Sequence, residues 1–261
     1  MKGALKTTYK VIAFLEKNRG KFISGAEMAV ECGISRNAIW KAVKELREKG
    51  YMIEAVSNKG YSLGSGNDII SAEGIKANME IPLAETLNIY VYDTIDSTSN
   101  VAKELALKGF GHGTLVVSSK QTRGRGRKDH EFFSPTGGLY MSMILSPEKL
   151  RITDNESITE EIGNEVRDAI KDLTGVLSEK KGINDLYIGE KKICGILIES
   201  GSEFDSNTLQ WLVVGIGINF DSDIKIFPRD LQNKASSLFT PGSAPITKNE
   251  LIAGIAGRIL A

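Results

Sequence analysis

The spacing of apolar residues in the first fifty positions predicts three short helices, and this run constrains the fold more than any other feature. We expect helices over residues 8–18, 24–30 and 35–49, since apolar side chains recur there every three or four residues. The residues that define the apolar faces of the first and third helices are Val11, Ile12, Phe14, Leu15, Ile39, Val43 and Leu46. Gly33 separates the second helix from the third, and two helices joined by so tight a turn predict a helix-turn-helix.

A β-hairpin is predicted directly after the third helix. Residues 51–56 and 61–63 favour strands, and residues 57–60 between them read Ser-Asn-Lys-Gly, which is typical of a turn. A hairpin in this position is a wing, so residues 1–64 are predicted to form a winged helix-turn-helix domain. We expect a linker at residues 65–69, where glycine, serine, asparagine and aspartate predominate.

The distribution of charge favours DNA as the partner of the first domain. Residues 1–64 contain twelve lysines and arginines against six acidic residues, a formal charge of +6, and the remainder carries −6 because the whole chain has 33 of each. The residues expected to contact DNA are Arg36, Asn37, Lys41 and Lys44 on the third helix and Lys59 in the wing. Trp40, next to Ile39, is interpreted as a packing residue rather than one that stacks on bases. A helical hairpin that binds protein, or a winged helix used only as a scaffold, remains open.

The composition excludes several other classes of function. The two cysteines, Cys32 and Cys194, are too few for a disulfide framework or a thiolate metal cluster, and two histidines give little basis for a metal site built by protein ligands alone. The apolar runs are shorter than a membrane span, and residues 1–6 lack the apolar core of a signal peptide. The sequence therefore predicts a cytoplasmic protein.

The remainder of the chain has the pattern of a mixed α/β domain over residues 70–261. Strands are expected over residues 87–93, 114–118, 139–145, 185–188, 192–198 and 211–218, with helices over 96–108 and 156–174. Short strands joined by turns, with helices between, predict a mixed or antiparallel sheet backed by helices, an α+β arrangement.

An arginine-glycine segment interrupts this domain. Residues 122–128 read Thr-Arg-Gly-Arg-Gly-Arg-Lys, so Arg123, Arg125 and Arg127 are spaced by single glycines. Guanidinium groups suit carboxylates and phosphates, and the like charges repel one another. The segment is expected to stay mobile until an anion orders it, as in a loop that closes over a nucleotide. A solvated basic loop or an RNA-binding arginine-glycine sequence is the alternative.

Four blocks in the second domain resemble the biotin protein ligases. They are Asp96-Ser97-Thr98, then residues 121–127 with 134–138, then Lys181 to Asp185 with Gly195 to Leu197, and finally Gly215 to Asn219. They occur in the family's order. With the N-terminal winged helix, the chain resembles the bifunctional members that also repress the biotin operon. The resemblance implies a catalytic domain of the class II synthetase-like type.

The resemblance implies a two-step reaction with ATP, Mg²⁺ and biotin. The biotin carboxylate attacks the α-phosphorus of ATP to give biotinyl-5′-AMP and pyrophosphate, and a lysine of a biotin carboxyl carrier protein domain then takes the biotin. Biotinyl-5′-AMP is also implied as the corepressor, which promotes a homodimer that binds operator DNA. No membrane partner is expected, and Mg²⁺ enters with ATP.

The matching motif positions imply roles for individual residues. Biotin would be bound by Ser97, Thr98, Gln121, Arg125, Lys181 and Gly195. ATP or the adenylate would be bound by Arg127, Phe132, Asn184 and Asn219. The catalytic residues implied are Lys181, Arg127 and Arg125, with Lys181 bridging the carboxylate and the α-phosphate. Purely structural roles, such as a helix cap at Ser97 and Thr98, a strand end at Asn219 or a core position at Phe132, are the alternatives.

Three departures from the family pattern motivate other functions. Residues 181–185 read Lys-Gly-Ile-Asn-Asp where the family commonly has Lys-Trp-Pro-Asn-Asp, and Asp129 stands beside the expected phosphate site. The chain also ends at Ala261, before the small C-terminal β-barrel that bifunctional members carry, so that domain is expected to be absent or truncated. A biotin-sensing transcription factor with weak or no ligase activity is therefore an alternative, and a lipoate ligase is a more distant one.

Overall fold

The computed structural model describes residues 7–64, 66–127, 130–149, 155–202 and 209–261. The chain divides into two compact units, Met1–Ala84 and Glu85–Ala261. This division falls after the linker predicted at residues 65–69, since α4 (Ala72–Ala77) packs against the first helix of the chain. The domain boundary at that linker stays a prediction. Asp129 lies outside the described residues.

The first unit begins with the three helices expected from the sequence. They are α1 (Thr7–Lys17), α2 (Gly25–Cys32) and α3 (Arg36–Glu48). Ser24 and Ser35 cap α2 and α3 by accepting hydrogen bonds from backbone N–H groups one turn into each helix. Gly33 ends α2 with a positive φ of 63°, a conformation that glycine adopts without steric cost. These local signals fix the tight turn between α2 and α3.

The wing follows as an antiparallel hairpin of β1 (Ile53–Val56) and β2 (Gly60–Leu63). Tyr61 exchanges backbone hydrogen bonds with Ile23, which ties the hairpin to the chain before α2. Gly60 permits this contact because a Cβ there would lie 2.0 Å from the carbonyl oxygen of Ile23. The predicted winged arrangement is confirmed.

Trp40 does not pack in the core of the first unit, so its interpretation as a packing residue is wrong. The side chain is 55% exposed, whereas Ile39, Val43 and Leu46 are buried in the cluster that α1, α2 and the wing share. Consecutive residues on a helix differ by about 100° in direction, so the residue after Ile39 turns away from the core.

The first unit also contains α5 (Ile81–Thr86) up to Ala84.

The second unit is built on a seven-stranded mixed sheet with the order β3-β4-β5-β9-β8-β7-β6. Only the β3–β4 pair is parallel among the described ladders. The strands are β3 (Ile89–Tyr92), β4 (Thr114–Ser118), β5 (Gly138–Leu145), β6 (Glu179–Lys181), β7 (Asp185–Ile188), β8 (Lys191–Ser202) and β9 (Leu209–Asn219). The predicted α+β fold class is confirmed.

Helices cover both faces of this sheet. α6 (Thr98–Leu107) packs against β4, β5 and β9, where Ala102 meets Val116, Ile144 and Val213. α7 (Asn155–Thr174) and α9 (Lys248–Leu260) pack together, and α7 also contacts β6 to β8. A 3-10 turn (Ile224–Ile226) precedes α8 (Arg229–Gln232) between β9 and α9. None of the helices in the described ranges is long and apolar enough to cross a membrane.

Candidate functional site

A cleft in the second unit brings residues of all four sequence blocks together. It lies between the start of α6, the two glycine-containing strands β8 and β9, and residues 121–134, here named the arginine loop. Its lining is Ser97, Thr98, Ser99, Gln121, Arg125, Gly126, Arg127, Phe132, Asn184, Asp185, Lys192, Gly195, Ile196, Leu197, Gly215, Ile216 and Gly217. Residues far apart in sequence thus share one surface.

Glycines on β8 and β9 form the floor of the cleft. Gly195 pairs with Gly217, and a Cβ on Gly217 would lie 2.6 Å from the ring of Phe132. A Cβ on Gly215 would lie 2.7 Å from the Ser99 hydroxyl. Since side chains alternate along a strand, Gly215 and Gly217 face the cleft while Ile216 and Ile218 face the other way. The Gly-Ile-Gly-Ile-Asn block therefore combines a bare backbone on one face with an apolar core on the other.

A network of buried hydroxyl groups closes one end of the cleft. Thr98 donates a hydrogen bond from its backbone N–H to Gln121 Oε1 over 2.8 Å, and its hydroxyl is 2.8 Å from the hydroxyl of Ser142. Ser99 also reaches Ser142, and Gln121 Nε2 donates to Ser134. Thr98 is 3% exposed and Ser142 is fully buried. The side chain of Gln121 is thus fixed between α6 and the arginine loop.

Ser97 lies at the N-cap of α6, yet its side chain makes no capping hydrogen bond. The hydroxyl of Ser97 therefore does not cap the helix, so the alternative role of this side chain as a helix cap is not observed. Ser142 was missed by sequence reasoning, although a single polar residue inside the apolar strand Gly138–Leu145 was a usable signal.

The described residues of the arginine loop fold back on themselves. Backbone hydrogen bonds run from Phe132 to Gly124, from Gly126 to His130 and from Gln121 to Ser134. Glycine is needed at position 124 because a Cβ would lie 2.3 Å from the carbonyl oxygen of Phe132, so close approach, rather than an unusual backbone conformation, explains it. The predicted ordering of the loop by an anion stays a prediction.

The cationic groups of the cleft are held by carboxylate and amide oxygens. Arg125 lies 3.4 Å from Glu199 and 3.3 Å from the side-chain oxygen of Asn100. Arg127 donates to the side-chain oxygen of Asn184 over 3.4 Å, which is a long contact. These pairs are partly exposed and cost little to exchange, because solvent screens them. The arginines are therefore positioned at the cleft and available to an anionic ligand.

Lys192 also lines the cleft, and sequence reasoning missed it. Its Nζ is 2.8 Å from Asp185 Oδ1 and 5.7 Å from the centroid of the Phe132 ring. Strict alternation would place Lys192 and Gly195 on opposite faces of β8. A β-bulge shifts the register, so that Tyr187 pairs with Lys192 but the preceding Leu186 pairs with Cys194. The bulge turns Lys192 onto the face of Gly195.

Lys181 does not line the cleft in this structure. It is the last residue of β6, its Nζ pairs with Glu190 at 2.9 Å, and it lies over the ring of Tyr187. The side chain is about one-third exposed. The role implied for Lys181 by the family resemblance stays a prediction, and it needs the lysine to leave Glu190.

A side cavity adjoins the cleft across Phe132. Its lining is Glu131, Phe132, Phe133, Asp185, Tyr187, Lys192, Asn219, Phe227, Leu231, Lys234 and Ala235. Asn219 is 3% exposed and donates to the carbonyl of Ser236, while its side-chain oxygen has no hydrogen-bond partner. A buried acceptor without a partner is unfavourable unless a ligand or water supplies a donor. The side cavity thus offers an aromatic surface and an unsatisfied acceptor.

Cys194 has no role as a nucleophile in this geometry. It is fully buried, and burial raises the pKa of its thiol, so the thiolate is disfavoured at neutral pH. The described residues contain no group of three or more His, Cys, Asp or Glu side chains arranged to hold a metal ion.

A second candidate surface lies on the first unit. Arg36, Asn37, Lys41 and Lys44 are all exposed on the outward face of α3, opposite its buried residues. Lys59 is exposed in the turn of the wing, with its Nζ 6.0 Å from the centroid of the Phe22 ring. The helix therefore presents the residues predicted to contact DNA on one continuous face.

Comparison with known proteins gives matches to both units. Residues 91–219 match the biotin/lipoate A/B protein ligase family, and residues 7–62 match an HTH domain. The bifunctional ligase/repressor BirA of Bacillus subtilis (strain 168) is 34% identical over 251 residues, covering 96% of this chain and 75% of the relative. The BirA of Escherichia coli (strain K12) is 30% identical over 80% of this chain and 62% of its own length.

A solved structure matches the chain as well. A biotin protein ligase from Aquifex aeolicus, in complex with biotin and ATP, is 29% identical with a TM-score of 0.57, and the match covers 66% of this chain and 68% of that one.

The hydroxyl network predicts a specific effect of Ser142→Ala. Thr98 and Ser99 each lose a buried hydrogen-bond partner, so the free energy of unfolding of the second unit should fall by about 1–3 kcal/mol. Ser200→Ala, at an exposed position of β8, is the matched control and should change it by less than about 0.5 kcal/mol. Urea denaturation of the full chain measures both. Equal stability of the two variants would show that the network does not hold the cleft.

Proposed function

The chain belongs to the biotin/lipoate A/B protein ligase family, and from that premise we propose that it is an ATP-dependent biotin protein ligase and a biotin-responsive transcriptional repressor. The observation that carries the ligase proposal is the cleft itself. Glycine backbone, buried hydroxyls and cationic side chains meet there, beside an aromatic side cavity with an unsatisfied acceptor. That combination suits a small polar ring, a carboxylate and a nucleotide bound end to end.

The biotin end of the site is assigned to the hydroxyl network and the glycine floor. The ureido group of biotin needs both donors and acceptors, which Ser97, Thr98 and Gln121 supply. Gly195 and its strand partner Gly217 let the Phe132 ring lie close to the backbone, so that this ring bounds the biotin end against the side cavity. Arg125 closes this end from the arginine loop.

The nucleotide end is assigned to the side cavity and the adjoining cations. Phe132 offers an aromatic face to adenine, and the side-chain oxygen of Asn219 can accept from the adenine amino group. Arg127, Asn184 and Lys192 lie where the phosphates would pass between the two cavities. Mg²⁺ enters bound to ATP as part of the substrate.

The chemistry proposed needs no covalent enzyme intermediate. A biotin carboxylate oxygen bonds to the α-phosphorus and pyrophosphate leaves, giving biotinyl-5′-AMP. The amine of a carrier-domain lysine then bonds to the acyl carbon, AMP leaves, and the amine loses a proton. Both reactants of the first step are anions, so fixed cations lower the Coulomb cost and stabilise the transition state. Arg125, Arg127 and Lys192 supply that charge, and Lys181 joins them once it has left Glu190.

A regulator that binds the adenylate without transferring biotin is the second candidate. The pairing of Lys181 with Glu190, outside the cleft, favours it. Transfer of radiolabelled biotin to a biotin carboxyl carrier protein domain separates the two candidates, since only a ligase labels the acceptor lysine. Competition by lipoate where biotin fails would instead identify a lipoate ligase.

The proposed role of Lys192 predicts a large loss of adenylate formation in Lys192→Met. Removal of one charge aimed at the developing transition state should lower the rate of biotin-dependent ATP–pyrophosphate exchange by about 100-fold or more. Lys191→Met is the matched control, because Lys191 is exposed beside it on β8, and should exchange at the wild-type rate.

Lys181→Met measured in the same assay tests whether Lys181 enters the site. A loss like that of Lys192→Met would place both lysines at the phosphates. If Lys192→Met exchanges pyrophosphate at the wild-type rate, the proposed role of Lys192 is wrong, and Lys181 is left as the lysine that the reaction requires.

The repressor proposal rests on the winged helix and on ligand binding in the cleft. Biotinyl-5′-AMP is proposed to act as corepressor by promoting a homodimer, since two recognition helices on one operator bind far better than one. The protein is proposed to act in the cytoplasm, where ATP, the carrier protein and DNA are all available.

This coupling predicts that biotin with MgATP shifts the protein from monomer to dimer. Sedimentation velocity should show a larger sedimentation coefficient with both ligands than with either alone, and Lys192→Met, unable to form the adenylate, should not respond. If the wild-type protein carries biotinyl-5′-AMP by mass spectrometry and its sedimentation is unchanged, the corepressor part of the proposal is wrong.

A further inference from the structure

The outward face of α3 carries a large aromatic side chain among its charged residues. Trp40 lies one helical turn after Arg36 and one turn before Lys44, with Asn37 and Lys41 beside it. It is 55% exposed, and the buried residues of α3 pack without it. We propose that Trp40 is a specificity residue that recognises a thymine methyl group in the major groove of operator DNA. This inference rests on the proposed repressor function.

The position on the helix favours contact with bases rather than with the phosphates. Trp40 is the fifth residue of α3, and residues near the start of a recognition helix reach the base edges in the major groove. Arg36, Lys41 and Lys44 surround it with positive charge, which attracts the phosphate backbone to this face of the helix. The indole is then the apolar group of this face that meets a base edge.

The chemistry of the indole favours thymine among the four bases. In the major groove, the C5-methyl of thymine is the apolar group, whereas the other bases present donors and acceptors. A flat apolar ring gains contact area against that methyl, and its Nε1–H has only donor capacity. Charge on the neighbouring side chains makes a nucleic acid the better partner for this face than an apolar protein surface. Trp40 thus supplies a preference for thymine, which the cations around it cannot supply.

The test uses the full chain with biotin and MgATP, and a duplex that the wild-type protein selects from a randomised DNA library. Each thymine of that duplex is replaced in turn by deoxyuridine, which removes the methyl group and leaves base pairing unchanged. Affinity is measured by fluorescence anisotropy at fixed salt. One buried methyl corresponds to about fourfold in affinity, so the wild-type protein should lose about that factor at one or two positions.

Trp40→Ala should bind the thymine and deoxyuridine duplexes equally, with the salt dependence of binding retained, because the phosphate contacts remain. Val30→Ala, which alters another exposed apolar residue of the first unit, is the control and should keep the wild-type dependence on the methyl. Trp40→Phe should keep part of the dependence of affinity on the methyl group.

Three results would overturn the proposal, and they are distinguishable. Methyl dependence that persists in Trp40→Ala would assign recognition to another residue. A wild-type protein that selects a sequence but is indifferent to every methyl would exclude thymine recognition while leaving the repressor function intact. A wild-type protein that selects no sequence would remove the repressor function and this inference together.

Discussion

The bare backbone on one face of β8 and β9 is the constraint on which the site depends. Gly215 and Gly217 alternate with isoleucines that face the opposite side of the sheet, so a single strand forms both the floor of the cleft and part of the core. Phe132 rests on that floor and separates the cleft from the side cavity. Any side chain in place of Gly217 would occupy the position of the Phe132 ring, and the division between the two ends of the site would be lost.

The polar and cationic side chains of the site are held by hydrogen bonds and ion pairs with residues beyond the glycine floor. The hydroxyls of Thr98, Ser99 and Ser142 join α6 to β5, and Gln121 joins that network to the arginine loop. The cations are restrained by carboxylate and amide oxygens, as in the Lys192–Asp185 ion pair and the Arg127–Asn184 contact. Rigid polar groups at one end and exchangeable ion pairs at the other suit a ligand with a neutral ring and an anionic tail.

Much of this arrangement follows from the sequence, and the parts that do not have identifiable causes. The helices of the first unit were predicted because their apolar spacing and caps are local signals, as at Ser35. The strands that contain Gly195, Gly215 and Gly217 are also predicted correctly, since the alternation of glycine with isoleucine is a local signal. Lys192 could not be placed on the cleft, because a single-residue bulge reverses its face and leaves no signature in residue type. Trp40 is exposed although it follows the buried Ile39, because consecutive residues of a helix point about 100° apart. The ion pair that takes Lys181 away from the cleft depends on the turn that brings Glu190 near, which is a tertiary feature.

The most direct test of the account is the affinity of Gly217→Ala for biotin, measured by titration calorimetry. The added methyl meets the movable ring of Phe132 rather than backbone, so the fold should persist with little change in its unfolding transition. The displaced ring should weaken biotin binding by about tenfold or more, which corresponds to about 1.4 kcal/mol. Gly257→Ala in α9, where a methyl meets no atom within 4 Å, should bind as the wild-type protein does. Wild-type affinity in Gly217→Ala would contradict the claim that the bare face of β9 forms the floor of the biotin site.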